Sequence, residues 1–207
     1  RMLFSFLNSQ MEELKKEYQS RGYTFKSNSD SEIILYLFKE NELHRLDGMF
    51  SFVIYTENRL IISRDWIGKI PLYIHNTNRY IIASELKSIL TQDGICDVKM
   101  VPKNSLIEID LDTNKIDIHK NFYFQFSESK TEPKSHEEVG NTTFKLLQTA
   151  VDKRLLSDVP IATSLSGGID SAIITYLLSR RVPNIKAYTI AFDEESPDLH
   201  KARVCAK

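Results

Sequence analysis

Ser164-Leu165-Ser166-Gly167-Gly168-Ile169-Asp170-Ser171-Ala172 is the stretch whose reading decides the fold. Upstream of it, Val159 to Leu165 is short and apolar enough for a buried strand. Downstream, Ala172, Ile173, Tyr176 and Leu177 recur at helical spacing. Arg180 and Arg181 close that helix and Pro183 stops it. A second apolar run follows from Ile185 to Phe192. Strand, glycine turn, helix and strand make a βαβ unit, whose crossover is expected to be right-handed.

Such a turn has the chemistry of a phosphate site. Gly167 and Gly168 let the backbone approach a ligand with no Cβ in the way. Successive backbone N–H groups and the start of the helix then converge on one spot that favours an anion. Ser166 and Ser171 add hydroxyls, and Asp170 either caps the helix or helps to hold Mg²⁺ on a polyphosphate. An ordinary strand-to-helix turn fits the same glycines. The G-x-x-x-x-G-K-[ST] phosphate loop does not, because no lysine follows the second glycine.

Ser166 to Ser171 resembles the S-G-G-x-D-S pyrophosphate loop of ATP pyrophosphatases, which cleave ATP to AMP and pyrophosphate while adenylating a substrate. The preceding Arg154-Leu155-Leu156-Ser157-Asp158-Val159-Pro160 is similar to the R-x-x-S-D-V-P approach to that loop in glutamine-dependent asparagine synthetases. This resemblance implies that Leu165, Ser166, Gly167, Gly168, Asp170 and Ser171 contact ATP, and that Ala191 lies by the adenine.

The composition restricts the alternatives. A chain of 207 residues has room for one large or two small cores. Its net charge of −1 gives no sign of a nucleic-acid partner. Cys96 and Cys205 make no disulfide framework, and His44, His75, His119, His136 and His200 are too scattered for a metal pattern. No signal peptide or membrane-length apolar run is present. The cysteine usage suits a reducing cytoplasm. The chain opens at Arg1 and stops at Lys207, inside what reads as a new helix after Ser196-Pro197; it is expected to be a fragment of a longer protein.

In order, Leu3 to Leu7 reads as a short strand, and Ser9 to Glu12 and Ser29 to Glu32 read as capping boxes that open two helices. Strands are expected at Met49 to Tyr55, Leu60 to Ser63, Pro71 to His75 and Tyr80 to Ala83. Leu106 to Leu111 and Lys115 to His119 flank a turn and make a hairpin. Ser127 to Glu138 is polar and charged and reads as a linker, dividing the chain into 1–126, 127–138 and 139–207. After it, Ser135 and Glu138 cap a helix that turns Leu146, Leu147, Ala150 and Val151 to a core.

The first half carries a resemblance of its own. Ser29 to Leu35 is similar to S-D-x-E-h-h-L, Leu46 to Phe52 to L-x-G-M-F-A-F, Arg64 to Tyr73 to R-D-x-x-G-x-x-P-L-Y, and Ala83 to Lys87 to A-S-E-h-K. These mark the class-II glutamine amidotransferase domain. The implied fold is an incomplete N-terminal-nucleophile αββα domain, followed by the first βαβ unit of a parallel-sheet ATP-pyrophosphatase domain. Asp30 is the residue carried over as the ligand for the glutamine amino group. Arg64 and Asp65 are expected to form an ion pair that shapes a loop, with Gly68 and Pro71 as turn formers; Glu85 and Lys87 are also read as structural. Two features depart from the family. No cysteine nucleophile opens the chain, and Leu3-Phe4-Ser5 stands where N-G-E belongs. The chain as given is therefore expected not to hydrolyse glutamine.

The resemblance implies a carbon–nitrogen ligase that uses ATP and Mg²⁺. Aspartate and ATP give β-aspartyl-AMP and pyrophosphate, and ammonia, free or from glutamine, displaces AMP. No nucleic acid or membrane partner is expected, and a homodimer is left open for the full-length protein. Two alternatives stand beside this reading. One is a β-lactam-synthetase-like ligase with a nonfunctional glutaminase half; the other is a non-catalytic nucleotide-binding remnant.

Overall fold

The computed structural model describes residues 5–7, 10–27, 29, 31–77, 79–91, 97–127, 135–155, 157, 159–193 and 195–207. The chain forms two compact units, Arg1–Ser129 and Lys130–Lys207.

The first unit is built on a five-stranded antiparallel sheet of β1 (Ser5–Leu7), β2 (Gly48–Thr56), β3 (Arg59–Arg64), β7 (Ser105–Asp110) and β8 (Ile116–Lys120), in that order. A three-stranded sheet places β4 (Tyr73–Asn76) between β5 (Tyr80–Ala83) and β6 (Lys99–Met100). The register of β2 explains the layers. Side chains alternate across a strand, so Phe50, Phe52 and Ile54 pack on α1 (Gln10–Ser20) and α2 (Ser31–Lys39) through Leu14, Tyr18, Ile33, Ile34 and Leu37. Val53 turns the other way and joins Ile62, Leu72, Val101, Ile107 and Ile109 in a second core. A strand buried on both faces reads as a nearly continuous apolar run, as Met49 to Tyr55 does. Each fully buried Phe, Ile or Leu contributes on the order of 2 kcal/mol. A short helix α3 (Leu86–Leu90) follows β5 and buries Ile89.

Glu17, Arg21, Glu42 and Arg45 tie α1 to a 3-10 turn at Leu43–Arg45. Arg45 reaches Glu17 at 2.6 Å and also pairs with Glu42, while the Tyr18 hydroxyl donates to Glu42 at 3.1 Å. The Arg45 guanidinium, and Arg21 after it, hold the Glu42 carboxyl down at about 2. Burial, and then Glu42, push the Tyr18 phenol up to about 12.

The second unit is a parallel pair, β9 (Ala162–Ser164) and β10 (Lys186–Tyr188), joined through α5 (Ile169–Ser179), with α4 (His136–Asp152) before it and α6 (Pro197–Cys205) after it. Both halves of the Ser135–Glu138 capping box form at the start of α4. Asp152 at the end of α4 takes both Nε and Nη2 of Arg181, at 2.6 and 3.0 Å, just past α5.

Several expectations are corrected. The Ser29–Glu32 box is not reciprocal: the Glu32 carboxylate turns back to the amides of Lys26 and Ser27, each at 2.8 Å, and the Ser29 amide donates to Ser27 Oγ. The Glu32 carboxylate also accepts from the Ser27 hydroxyl at 2.7 Å, so the loop ahead of α2 takes it by three donors. β10 stops at Tyr188, well short of Phe192, because its partner β9 turns into the glycine loop after Ser164. Ile190 and Phe192 are fully exposed. On α4, Val151 is buried but Leu146 is 67% exposed, so the core face is narrower than its apolar spacing implied. Residues 1–4, Ser9 of the first capping box, Asp30, Cys96, Asp158 and most of the 127–138 linker lie outside the described residues.

Candidate active site

The glycine loop begins where the β9–β10 ladder ends. The Leu165 amide donates to the Tyr188 carbonyl at 2.9 Å, and the Thr189 hydroxyl donates to the Leu165 carbonyl at 2.6 Å. Leu165 is itself buried at 2% exposure. It therefore anchors the loop to the sheet with its backbone and to the core with its side chain. Thr163, one residue before β9 ends, meets Thr175 of α5 at 3.3 Å between hydroxyls.

Gly167 and Gly168 do different work. Gly167 has φ +76°, a left-handed conformation that side chains rarely adopt. A Cβ there would lie 2.4 Å from Lys201 Cβ and 2.7 Å from the Ala202 amide of α6, so close packing also demands glycine. Gly168 is in extended backbone, φ −74° and ψ 157°, as the N-cap of α5. A Cβ on it would meet only Ser166 Oγ, at 3.6 Å. Space is thus open over Gly168 and closed over Gly167.

Polar groups gather around that open space. Ser171 Oγ donates to the Gly168 carbonyl at 3.0 Å, lies 3.1 Å from Ser166 Oγ and accepts from the Ser166 amide at 3.3 Å. Asp170 does not cap the helix. It sits one position inside α5, exposed, with no side-chain partner among the described residues. Among the described residues, the amides of Gly167, Gly168, Ile169, Asp170 and Ser171 likewise have no hydrogen-bond acceptor. Free amides at a helix start carry partial positive charge and bind anions.

These groups fit a magnesium-bound polyphosphate. The amides and hydroxyls suit phosphate oxygens, and one free carboxylate is what Mg²⁺ takes from a protein when phosphates supply its other ligands. Among the described residues no cluster of three His, Cys, Asp or Glu side chains could hold a metal alone. Beside the loop, a cavity of about 610 Å³ lies between α5, β10 and α6; Leu165, Ala172, Thr175, Tyr176 and Ala187 are among the residues that line it. Ala191, half-buried beyond β10, does not line it.

The first unit has a second glycine loop, and there the expected Arg64–Asp65 ion pair is corrected. The Arg64 guanidinium donates to three carbonyls, of Ile70 (2.9 Å), Val101 (2.5 Å) and Gly68 (2.7 Å). The Asp65 carboxylate accepts from the amides of Phe50, Ile67, Gly68 and Lys69 at 2.8 to 3.2 Å. Each charge is spread over backbone dipoles instead of over the other, because both residues are buried in a turn rich in unpaired amides and carbonyls. Burial lowers the Arg64 pKa. Gly68, with φ +75°, leaves room for Arg64 and Lys103; a Cβ there would come within 2.9 Å of both. Glu85 and Lys87 form an exposed ion pair at 2.6 Å beside α3. Nothing in the sequence marked which of Gly167 and Gly168 is enclosed, since α6 reaches the loop from more than thirty residues away.

A family described as "Glutamine amidotransferase domain" matches residues 8–91, and one described as "Asparagine synthase" matches residues 143–207. Glutamine-hydrolyzing asparagine synthetase 1 of Bacillus subtilis is 30% identical over 88% of this chain and 33% of its own length. A probable glutamine-hydrolyzing asparagine synthetase of Dictyostelium discoideum is 30% identical over 93% of the chain and 38% of its own length. Asparagine synthetase B of Escherichia coli is 30% identical over 93% and 37%. The chain thus spans about a third of the length of these curated relatives. In fold, it superposes on the glutamine phosphoribosylpyrophosphate amidotransferase of B. subtilis with a TM-score of 0.51 at 17% identity, covering 91% of the chain and 47% of that one. This is the N-terminal-nucleophile amidotransferase-like architecture, with a short parallel sheet at the C-terminal end.

Proposed function

On the premise that this chain is a homologue of the asparagine synthetases, we propose that the protein is an ATP-dependent asparagine synthetase whose glycine loop holds the β,γ-pyrophosphate of ATP. Aspartate attacks the α-phosphate, β-aspartyl-AMP and pyrophosphate form, and ammonia, free or from glutamine, displaces AMP. The observation that carries the reading is the row of amides from Gly167 to Ser171 with no acceptor among the described residues, beside the Ser166 and Ser171 hydroxyls.

Each residue has a task in this scheme. Gly168 leaves the approach clear. The amides from Gly167 to Ser171 are preorganised toward charge that grows on the leaving pyrophosphate, where such donors have most effect, and the Ser166 and Ser171 hydroxyls brace the loop beside them. Asp170 is the chain's contribution to the Mg²⁺ that accompanies the phosphates. Leu165 holds the loop at the sheet edge, and Ala191 is kept as a residue near the adenine. Asp30 is proposed to bind the amino group of glutamine. Exposed Cys205 lies on α6, so the chain offers no described cysteine in the first unit to open glutamine. Among the described residues no helix is long and apolar enough to cross a membrane, and we place the reaction in the cytoplasm.

The test is aspartate-dependent exchange of labelled pyrophosphate into ATP by the full-length protein, with ammonia omitted. Exchange that requires aspartate is the expected result. Formation of ADP and phosphate would refute adenylation. Exchange with another carboxylic acid in place of aspartate would keep the loop's role and remove the substrate. Glutamate release from glutamine, measured alongside, separates glutamine from free ammonia as nitrogen donor.

A further inference from the structure

The loop that binds the polyphosphate has no cation of its own. Ile169, Asp170 and Ser171 follow the glycines, and the one charge among them is negative. Free amides and hydroxyls supply only partial charges, so a polyphosphate bound there lacks a full positive charge from the protein.

The packing of α6 brings one to the place. Gly167 and Ala202 approach closely enough that a Cβ on Gly167 would sit 2.4 Å from Lys201 Cβ. Ala202 is 3% exposed, which fixes α6 against the loop at this point. The Lys201 side chain therefore starts in contact with the loop, while 60% of its surface stays open to solvent. Its recorded partner is Asp198, one helical turn back, at 3.9 Å, which is the outer limit of an ion pair. An exposed pair at that distance is weak. The lysine stem is a flexible four-carbon chain and its ammonium carries three donors. Arg203, two positions further, leaves the helix on a different face.

We infer that Lys201 is a polyphosphate-binding residue, supplying from α6 the cation that the glycine loop lacks. The inference rests on the reading of the loop as a pyrophosphate site. It assigns α6 a binding role: the helix that closes the loop over Gly167 also carries a lysine whose stem begins beside the loop. Asp198 holds the ammonium when no anion is present and competes with the anion for it.

The experiment is calorimetric titration of the full chain with inorganic pyrophosphate in the presence of Mg²⁺. Lys201→Met is expected to weaken binding about tenfold, the scale of one charge-assisted contact, and Lys201→Arg to retain most of the affinity. A Lys201→Met chain that binds as the unsubstituted chain does would overturn the inference. Because a misfolded variant also loses binding, Asp198→Asn supplies the opposite sign. It frees the ammonium and is expected to tighten binding about threefold. That gain is expected to vanish when Lys201→Met is added, as a double-mutant cycle requires for a contact acting through Lys201. A gain that persists in the double variant also overturns the inference. Failure of the unsubstituted chain to bind pyrophosphate would instead remove the loop's reading, and the role of Lys201 with it.

Discussion

The loop from Arg64 to Pro71 and the loop from Leu165 to Ser171 use the same backbone device for opposite purposes. Each follows a strand and bends through a glycine in the left-handed region, φ +75° at Gly68 and +76° at Gly167. In the first, polar groups of the turn satisfy one another: Asp65 takes four amides, and Arg64 takes three carbonyls. In the second, the amides from Gly167 to Ser171 and the Asp170 carboxylate stay free among the described residues. A turn that has used its donors is structure, and one that has kept them can bind. What separates the two is the position of the aspartate. Asp65 sits at the start of its turn, where its carboxylate can fold back over the amides that follow. Asp170 sits inside a helix, past the amides it would need to reach.

The sharpest way to break this contrast is to remove the aspartate from each loop. Asp65→Ala takes the carboxylate from four amides in a site where Asp65 is 1% exposed, and of these the Gly68 amide keeps an acceptor, the Asp65 carbonyl at 3.0 Å. The expected loss is about 3–5 kcal/mol of stability in the first unit, read by denaturant unfolding. Asp170→Asn is expected to leave stability within about 0.5 kcal/mol, since the side chain is exposed and has no partner among the described residues. It should instead lower pyrophosphate exchange in the full-length protein about 10²-fold. A large stability loss at Asp170 would show that the second loop is also a structural turn.

The two neighbouring glycines sharpen the same point on a smaller scale. Gly167→Ala meets both a left-handed φ and the backbone of α6, and should cost about 2 kcal/mol in a thermal melt of the second unit. Gly168→Ala meets only Ser166 Oγ at 3.6 Å, and should leave that melt unchanged while weakening pyrophosphate binding. Equal melting shifts for the two would mean that α6 does not press on Gly167.

The smallest effect belongs to the charge network of the first unit. The Glu42 carboxyl is held at about 2 against an ordinary 4.5. A carboxylate held down in this way stabilises the fold above the unfolded value, and the stabilisation fades as pH falls through about 4.5 toward 2. Solvent screening limits the Glu42 share to about 1 kcal/mol. Glu42→Gln should flatten the stability profile in that window; an unchanged acid profile would remove Glu42 from the network's energetics.

The sequence was most legible where structure is local. The apolar runs Met49 to Tyr55 and Leu60 to Ser63 gave β2 and β3 to within one or two residues. Ser135 and Glu138 announced the capping box that forms on α4. The order strand, glycine turn, helix, strand around Ser166 to Ser171 gave the parallel β9–β10 pair joined through α5. It was less legible where apolar spacing outran the core, as at Leu146, and where strand length depended on a partner, as in β10.

By itself, then, the sequence determined which residues make the strand, glycine turn and helix of the second unit, because hydrophobic period, turn residues and capping pairs act over a few positions. Tertiary structure alone decided how charges are spent. Arg64 finds the Val101 carbonyl, and Asp65 the Phe50 amide, because strands distant in sequence are laid side by side. Gly167 is enclosed and Lys201 is brought to the loop because α6 folds back on it. The choice of partner for a charge depends on which backbone dipoles surround it after folding, and a local pattern holds no record of them.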